Sequence, residues 1–171
     1  MVPAELLARK AAAAYSSAME IYNIIDQRQH LETITRWHHH EWAAMNVGRS
    51  FESRLADMQA HLAGNSVPAT WIALIDGQPA GSASILDDDM PERPELKPWL
   101  ASVFTHPDFR HRGIGRALVQ RVMDHARDSG FSTLYLYTPD KAHFYAQLDW
   151  ESFEVLPYHG STVTLMSWKC N

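Results

Sequence analysis

Val103-Phe104-Thr105-His106-Pro107-Asp108-Phe109-Arg110-His111-Arg112-Gly113-Ile114-Gly115-Arg116-Ala117-Leu118 is the stretch that decides the fold. Its first three residues end a strand predicted over Trp99 to Thr105, and Pro107, which has no N–H for a ladder, closes that strand. Ile114, Leu118, Val122 and Ala126 then recur at every fourth position, joined by Ala117, Val119 and Met123. That spacing predicts a helix with a broad apolar face, ended by Gly130. Between strand and helix lies Arg110-x-x-Gly113-x-Gly115. Glycine tolerates φ > 0 and lets a backbone approach a ligand with no Cβ in the way. The helix that follows aims its partial positive end at the loop. The pattern points to backbone N–H groups gripping a phosphate. It is not a dinucleotide fingerprint, because Leu118 stands where the third glycine would be. It is not a nucleotide P-loop either, because no Gly-Lys-Ser/Thr follows.

Outward from this stretch the order of elements reads β, α, α, β, β, β, α, β, α, β, β. Glu20 to Ile25 is a first short strand. Leu31 to Ala44 and Ser50 to Ala63 are helices, the second with a Leu55, Met58, Leu62 stripe and a serine cap. Thr70 to Ile75 and Gln78 to Leu86 form a hairpin around Asp76-Gly77, a pair suited to positive φ. The acidic segment Asp87 to Pro98 is a loop. Ser132 to Thr138 alternates as a strand. Asp140 is expected to cap a short helix over Lys141 to Leu148. Glu151 to Leu156 and Thr162 to Trp168 close the sheet around Tyr158-His159-Gly160. Residues 1–19 are expected to form an N-terminal helix or arm rather than a signal peptide, since the apolar run is too short and Glu5 interrupts it. Residues 20–171 form one α+β domain.

Composition narrows the functional classes. A 171-residue chain with 46% hydrophobic and 20% charged residues is an ordinary globular domain with a real core. The net charge of −5 argues against a general nucleic-acid binder. No apolar run approaches the ~20 residues of a membrane helix. The one cysteine, Cys170, excludes an intrachain disulfide and suits a reducing cytoplasm. His38-His39-His40 cannot share one metal ion on a helix, where neighbours point about 100° apart, and no metal is expected.

The second half of the chain resembles the GNAT superfamily of N-acetyltransferases, which use acetyl-CoA. Three features carry the likeness. The Val103 to Leu118 stretch is similar to the family's strand, turn, pyrophosphate loop and helix. Phe144-Tyr145-Ala146-Gln147-Leu148-Asp149-Trp150 is similar to its Phe-Tyr-x-x-x-Gly-Phe. A helix and a strand fill the interval between them, as the family requires. One position departs, since Asp149 replaces the usual glycine. Aspartate visits the left-handed region more readily than most residues, so the turn is expected to survive.

The resemblance implies a mostly antiparallel, splayed central sheet of about six or seven strands flanked by about four helices. It implies that backbone groups of Val103, Phe104 and Thr105 receive the pantetheine arm, and that Arg110, His111, Arg112, Gly113, Ile114, Gly115 and Arg116 hold the diphosphate. The oxyanion donor is then the N–H of Val103 or of Phe104. Tyr145 matches the family's acid, and a phenol with a pKa near ~10 is a competent donor to a thiolate near ~8.5. An amine must shed a proton before attack, so a base is required. Glu41, His106, Asp87 to Asp89 and His159 are the candidates. Trp37, Glu41, Trp42 and the 46–50 loop, with Tyr158 to Gly160, are expected around an acceptor that is a small-molecule or peptide amine. The expected assembly is a monomer or homodimer. A non-catalytic acyl-CoA sensor and a different acyl donor remain the alternatives.

Overall fold

Seven consecutive buried residues, Ala69 to Ile75, explain the layering. A strand sends alternate side chains to opposite faces. Ala69, Trp71, Ala73 and Ile75 enter one core, while Ile72 and Leu74 enter another. This strand is therefore covered on both sides, with one helical layer on each.

The computed structural model describes residues 18–171. The strands are β1 (Met19–Asn23), β2 (Ala69–Ile75), β3 (Gln78–Leu86), β4 (Trp99–Thr105), β5 (Thr133–Thr138), β6 (Glu151–Tyr158) and β7 (Ser161–Lys169). The helices are α1 (Leu31–Glu41), α2 (Phe51–Gln59), α3 (Ile114–Asp128) and α4 (Ala142–Ala146). One sheet holds all seven strands in the order β1-β2-β3-β4-β5-β7-β6, antiparallel except for β4 beside β5. The mostly antiparallel α+β architecture expected from the sequence is the one observed.

Helix α3 places Ile114, Leu118, Val119, Val122, Met123 and Ala126 against the Trp71 face. Helices α1 and α2 bring Leu31, Ile34 and Met58 to the Ile72 face, with Trp37, Leu55 and Leu62 half-buried around them. The turn between β2 and β3 has positive φ at both Asp76 and Gly77, 50° and 77°, as a tight hairpin requires. No described helix is long and apolar enough to cross a membrane.

Several boundaries differ from the sequence reading. The first helix ends at Glu41, and Ala43–Met45 is a separate 3-10 turn. The second shortens to Phe51–Gln59 before another 3-10 turn, Ala60–Leu62. Asp140 does not cap α4. The Thr138 hydroxyl accepts from Lys141 N–H at 2.9 Å and from Asp140 N–H at 3.4 Å instead. A threonine at a strand end already faces the N–H groups that turn into the helix, whereas Asp140 is exposed beyond them. The arm expected over residues 1–19 lies outside the described residues apart from its last two, and Met19 already belongs to β1.

The α1 side of the sheet carries polar groups as well as apolar ones. His38 is 1% exposed and its Nε2 bonds Ser82 Oγ at 2.8 Å. Burial, then the charges of Arg54 and His61, lower its pKa to about 3. Such a histidine is neutral in the fold but takes a proton near pH ~6.5 once unfolded. Its stabilising contribution is complete above that pH and is lost as pH falls toward 3. Global stability should therefore drop by about 1.4 kcal/mol per pH unit from this one group below pH ~6. Urea denaturation across that range would show it, and His38→Gln should flatten the slope.

Candidate functional site

The site begins with a fault in the sheet. Strands β4 and β5 run parallel but pair only at Trp99 and Tyr135, with Tyr135 N–H donating to Pro98 O at 3.0 Å. Beyond that point they part. On its other side β4 stays against β3, but the register slips between Ser82 and Ser84. Ser102 and Val103 thus face Ala83 together, and Ser102 takes φ 54°. This is a bulge, which redirects the backbone beyond it. His106 N–H donates to Ala80 O at 2.9 Å, and the Phe104 carbonyl lies so close to Gly81 that a Cβ there would be 2.7 Å away. Phe104 and His106 therefore turn their backbone groups to β3. Alternation leaves those of Val103 and Thr105 on the open side, where the Thr105 carbonyl accepts from Arg110 Nε at 3.1 Å.

The chain then curls into the loop. His106 Nδ1 accepts from Asp108 N–H at 3.2 Å and starts a 3-10 turn, Pro107–Phe109. His111 and Gly113 follow with φ of 64° and 76°. A tight turn with residues at positive φ can direct successive N–H groups to one side, a concavity suited to anions. No side chain caps α3, so its first N–H groups also stay available. Thr105, Phe109, Arg110, His111, Gly113, Ile114, Gly115, Arg116 and Phe144 line a concavity of about 200 Å³. The Arg112 guanidinium lies 5.6 Å from the centre of the Phe109 ring. Arg110, Arg112 and Arg116 are all exposed.

Helix α4 forms the far wall. Tyr145 is 8% exposed and packs in the same cluster as Ile114 and Leu118, with its ring 5.0 Å from Phe144 and 6.1 Å from Trp150. Burial, followed by the charge of Asp140, raises its pKa well above the usual phenol value. The turn after α4 holds Asp149 at φ 68°, so aspartate does occupy the left-handed position expected of it.

The opposite face of the same gap is aromatic. Trp37 sits 5.5 Å from Phe104 and 5.3 Å from His106; Trp42 sits 5.4 Å from His38 and 6.5 Å from Phe104. Across from them Tyr137 meets Tyr158 at 5.2 Å, and Tyr158 meets His159 at 4.1 Å. His159 and the loop Ala44 to Val47, with Arg49, line an open groove of about 480 Å³. The fold thus joins the 46–50 loop to the β6–β7 turn. Glu41, by contrast, ends α1 exposed and is not among the groove's walls.

The charged candidates separate by environment. Asp87 pairs with Lys97 at 3.0 Å. Arg93 pairs with Glu95 at 2.6 Å and also with Glu154. Asp89 is half-buried, and burial with the adjacent Asp88 pushes its carboxyl up to about 7. Its charge is felt by both Tyr137 and Tyr158, whose pKa values are raised chiefly by burial. Cys170 is buried and its thiol is pushed up by that burial, which makes it a poor nucleophile. Among the described residues no group of three or more His, Cys, Asp or Glu side chains gathers to hold a metal.

Phe109 and Phe144 line the loop concavity although the sequence reading gave them no role there. The signal was present, since both flank motif residues. Asp89 stood in a group of three aspartates that the sequence left undivided.

The fold has counterparts among known proteins. A family model described as the acetyltransferase (GNAT) family matches residues 31–150. An N-acetyltransferase from Staphylococcus aureus Mu50 aligns with a TM-score of 0.71 at 13% identity, covering 91% of this chain and 100% of that one. The yncA protein of Salmonella typhimurium, solved with its cofactor acetyl-CoA, aligns at 0.69 and 18%, covering 91% and 95%. Spermidine N-acetyltransferase from Vibrio cholerae, in complex with CoA and spermine, aligns at 0.67 and 14%, covering 88% and 95%. At these identities the likeness is one of fold, and it agrees with a family match spanning most of the chain. The chain belongs to the GNAT family of acetyltransferases.

Proposed function

We propose that the protein transfers an acetyl group from acetyl-CoA to the primary amine of a small-molecule or peptide acceptor, by direct attack while both are bound. The observation that carries this reading is the open side of β4 leading into the left-handed turns at the start of α3. The backbone of Val103 and Thr105 on the open side of β4, where the Thr105 carbonyl is taken by Arg110 Nε, suits an amide-bearing arm laid along the strand. The N–H groups from Arg112 to Arg116, with arginines around them, suit a diphosphate. A concavity of about 200 Å³ is on the scale of that diphosphate rather than of a whole coenzyme.

When bound, acetyl-CoA supplies an activated thioester; the remaining tasks fall to residues of the chain. Val103 N–H, turned to the gap, is the donor for the carbonyl oxygen as charge develops on it. Phe104 N–H is turned to β3, which favours Val103 of the two. Tyr145 donates to the departing sulfur, and its raised pKa keeps the donor form present across the working pH range. Asp89 takes the proton from the acceptor ammonium. A base works best with a pKa near the operating pH, and a value of about 7 meets that demand. Trp37, Trp42, Phe104 and Tyr158 form the walls around the acceptor. The lone, buried Cys170 suits a reducing cytosol.

Thermal shift with CoA, followed by thiol release against an amine panel, tests the reading as a whole. CoA should stabilise the protein, and at least one amine should release thiol. Absence of CoA stabilisation would overturn it, and stabilisation without turnover on any amine would indicate a sensor. Tyr145→Phe should lower turnover about 10²-fold with CoA affinity retained; unchanged turnover sinks the acid role.

Gly113→Ala places a Cβ at φ 76°, a strain of about 1–2 kcal/mol. Calorimetry should find CoA binding weaker by roughly 5–30-fold. Wild-type kcat/KM should rise with pH and level off above pH 7, where Asp89 is deprotonated. Asp89→Asn should be slow and lack that limb, and a variant keeping the limb would assign the base elsewhere.

A further inference from the structure

The bulge at Ser102 and Val103 needs holding. Ser102 sits at φ 54° without being a glycine, and a residue in that region persists only where its surroundings over-determine it. A slip of one residue along β4 would turn the Val103 N–H to β3 and that of Phe104 to the gap. Strand β5 does nothing to prevent this, because it pairs with β4 only at Trp99. The restraint must come from β3.

Strand β3 is gripped on both sides of the slip. Ser82 pairs with Phe104 and Ser84 with Ala101, so Ala83 between them faces the bulge. Ser82 and Ser84 point to the same face of the sheet, and both are buried. Each hydroxyl is bonded toward the α1–α2 layer. Ser82 Oγ meets His38 Nε2 at 2.8 Å. Ser84 Oγ meets Thr70 Oγ1 at 2.7 Å, and Thr70 Oγ1 meets His61 Nδ1 at 2.8 Å. Thr70 stands directly opposite Ser84 on β2. His38 belongs to α1, and His61 to the 3-10 turn after α2. Two elements of one layer thus hold the two points of β3 that bracket the slip.

Stability alone does not call for these groups. Apolar residues of the same shape would serve it about as well, because a buried hydrogen bond largely replaces one made to water. What a satisfied buried network adds is one fixed geometry. We propose that His38, through Ser82, and His61, through Thr70 and Ser84, are positioning residues that set the register of the bulge and so aim the Val103 N–H at the thioester carbonyl. The proposal rests on the acetyl-transfer reading above, with Val103 as its donor.

Thr70 is the sharpest probe. It lies on β2, two strands from β4, and lines neither the loop concavity nor the groove. Thr70→Val keeps the side chain's shape and removes the hydroxyl. It should lower kcat about tenfold, short of the ~10²–10³ that follows loss of an oxyanion donor. KM for acetyl-CoA and for the amine should stay within about twofold, since only the transition state is touched. Ser82→Ala should act alike, and Thr70→Ser, which keeps the hydroxyl, should recover most of the rate. Met58→Ala removes buried volume from the same layer. It should lower the melting temperature without lowering kcat. A second measurement needs no acceptor. The thioester carbonyl stretch of bound acetyl-CoA, read by infrared difference spectroscopy, should lie below that of free acetyl-CoA in the wild type. In Thr70→Val and Ser82→Ala it should move back toward the free value. An unchanged kcat, or a stretch that stays in place, in both variants would overturn the proposal while leaving acetyl transfer intact. So would Thr70→Ser as slow as Thr70→Val, or an equal fall of kcat in Met58→Ala, since either makes the effect one of general loosening. Failure of the wild type to bind acetyl-CoA would instead overturn the acetyl-transfer reading, and this proposal with it.

Discussion

The parting of β4 from β5 is the constraint on which the rest of the structure depends. A parallel pair normally satisfies its backbone groups along its whole length. Here the ladder holds at Trp99 and Tyr135 and then stops. Six further residues of β4 have only β3 beside them, and the bulge at Ser102 and Val103 decides which of their N–H and C=O groups face the gap. Buried backbone polar groups demand partners. The opening is therefore an unmet demand for hydrogen bonds, built into the middle of the sheet.

The two faces of the sheet beside the gap are covered by separate clusters that share strand β2. On one side α3 buries its apolar face against β2 and β3, which fixes where its N-terminus points. On the other, α1 and α2 rest on Ile72 and Leu74. A third cluster, built on Trp99, Met90 and Val163, supports Tyr137 and Tyr158 from beneath. The loop at Gly113 is positioned by the first, the aromatic wall by the second and third. The two halves of the reaction can thus be served by separately anchored groups.

Much of this was legible in the sequence because periodicity is local. The limits of β3 and β4 matched residue for residue, since alternation and a following Pro107 or Asp87 end them sharply. Asp149 in a left-handed turn was legible from the motif around it. Other features depend on neighbours that are distant in the chain. Whether Val103 or Phe104 offers its N–H to the gap hangs on a one-residue bulge against Ala83. The division of Asp87 from Asp89 hangs on which of them meets Lys97.

Strand β6 closes the sheet with one side open to solvent, and Val155 and Phe153 are 64% and 45% exposed upon it. A bare edge with apolar side chains is a template for other chains. Two local features shorten that template. The register slips between Ser152 and Glu154, and Pro157 withholds an N–H. Only Glu154 to Leu156 remain uninterrupted, and Glu154 is pinned to Arg93. Among the described residues no element covers this edge, yet it stays too brief to seed a growing ladder, which favours colloidal stability at high concentration.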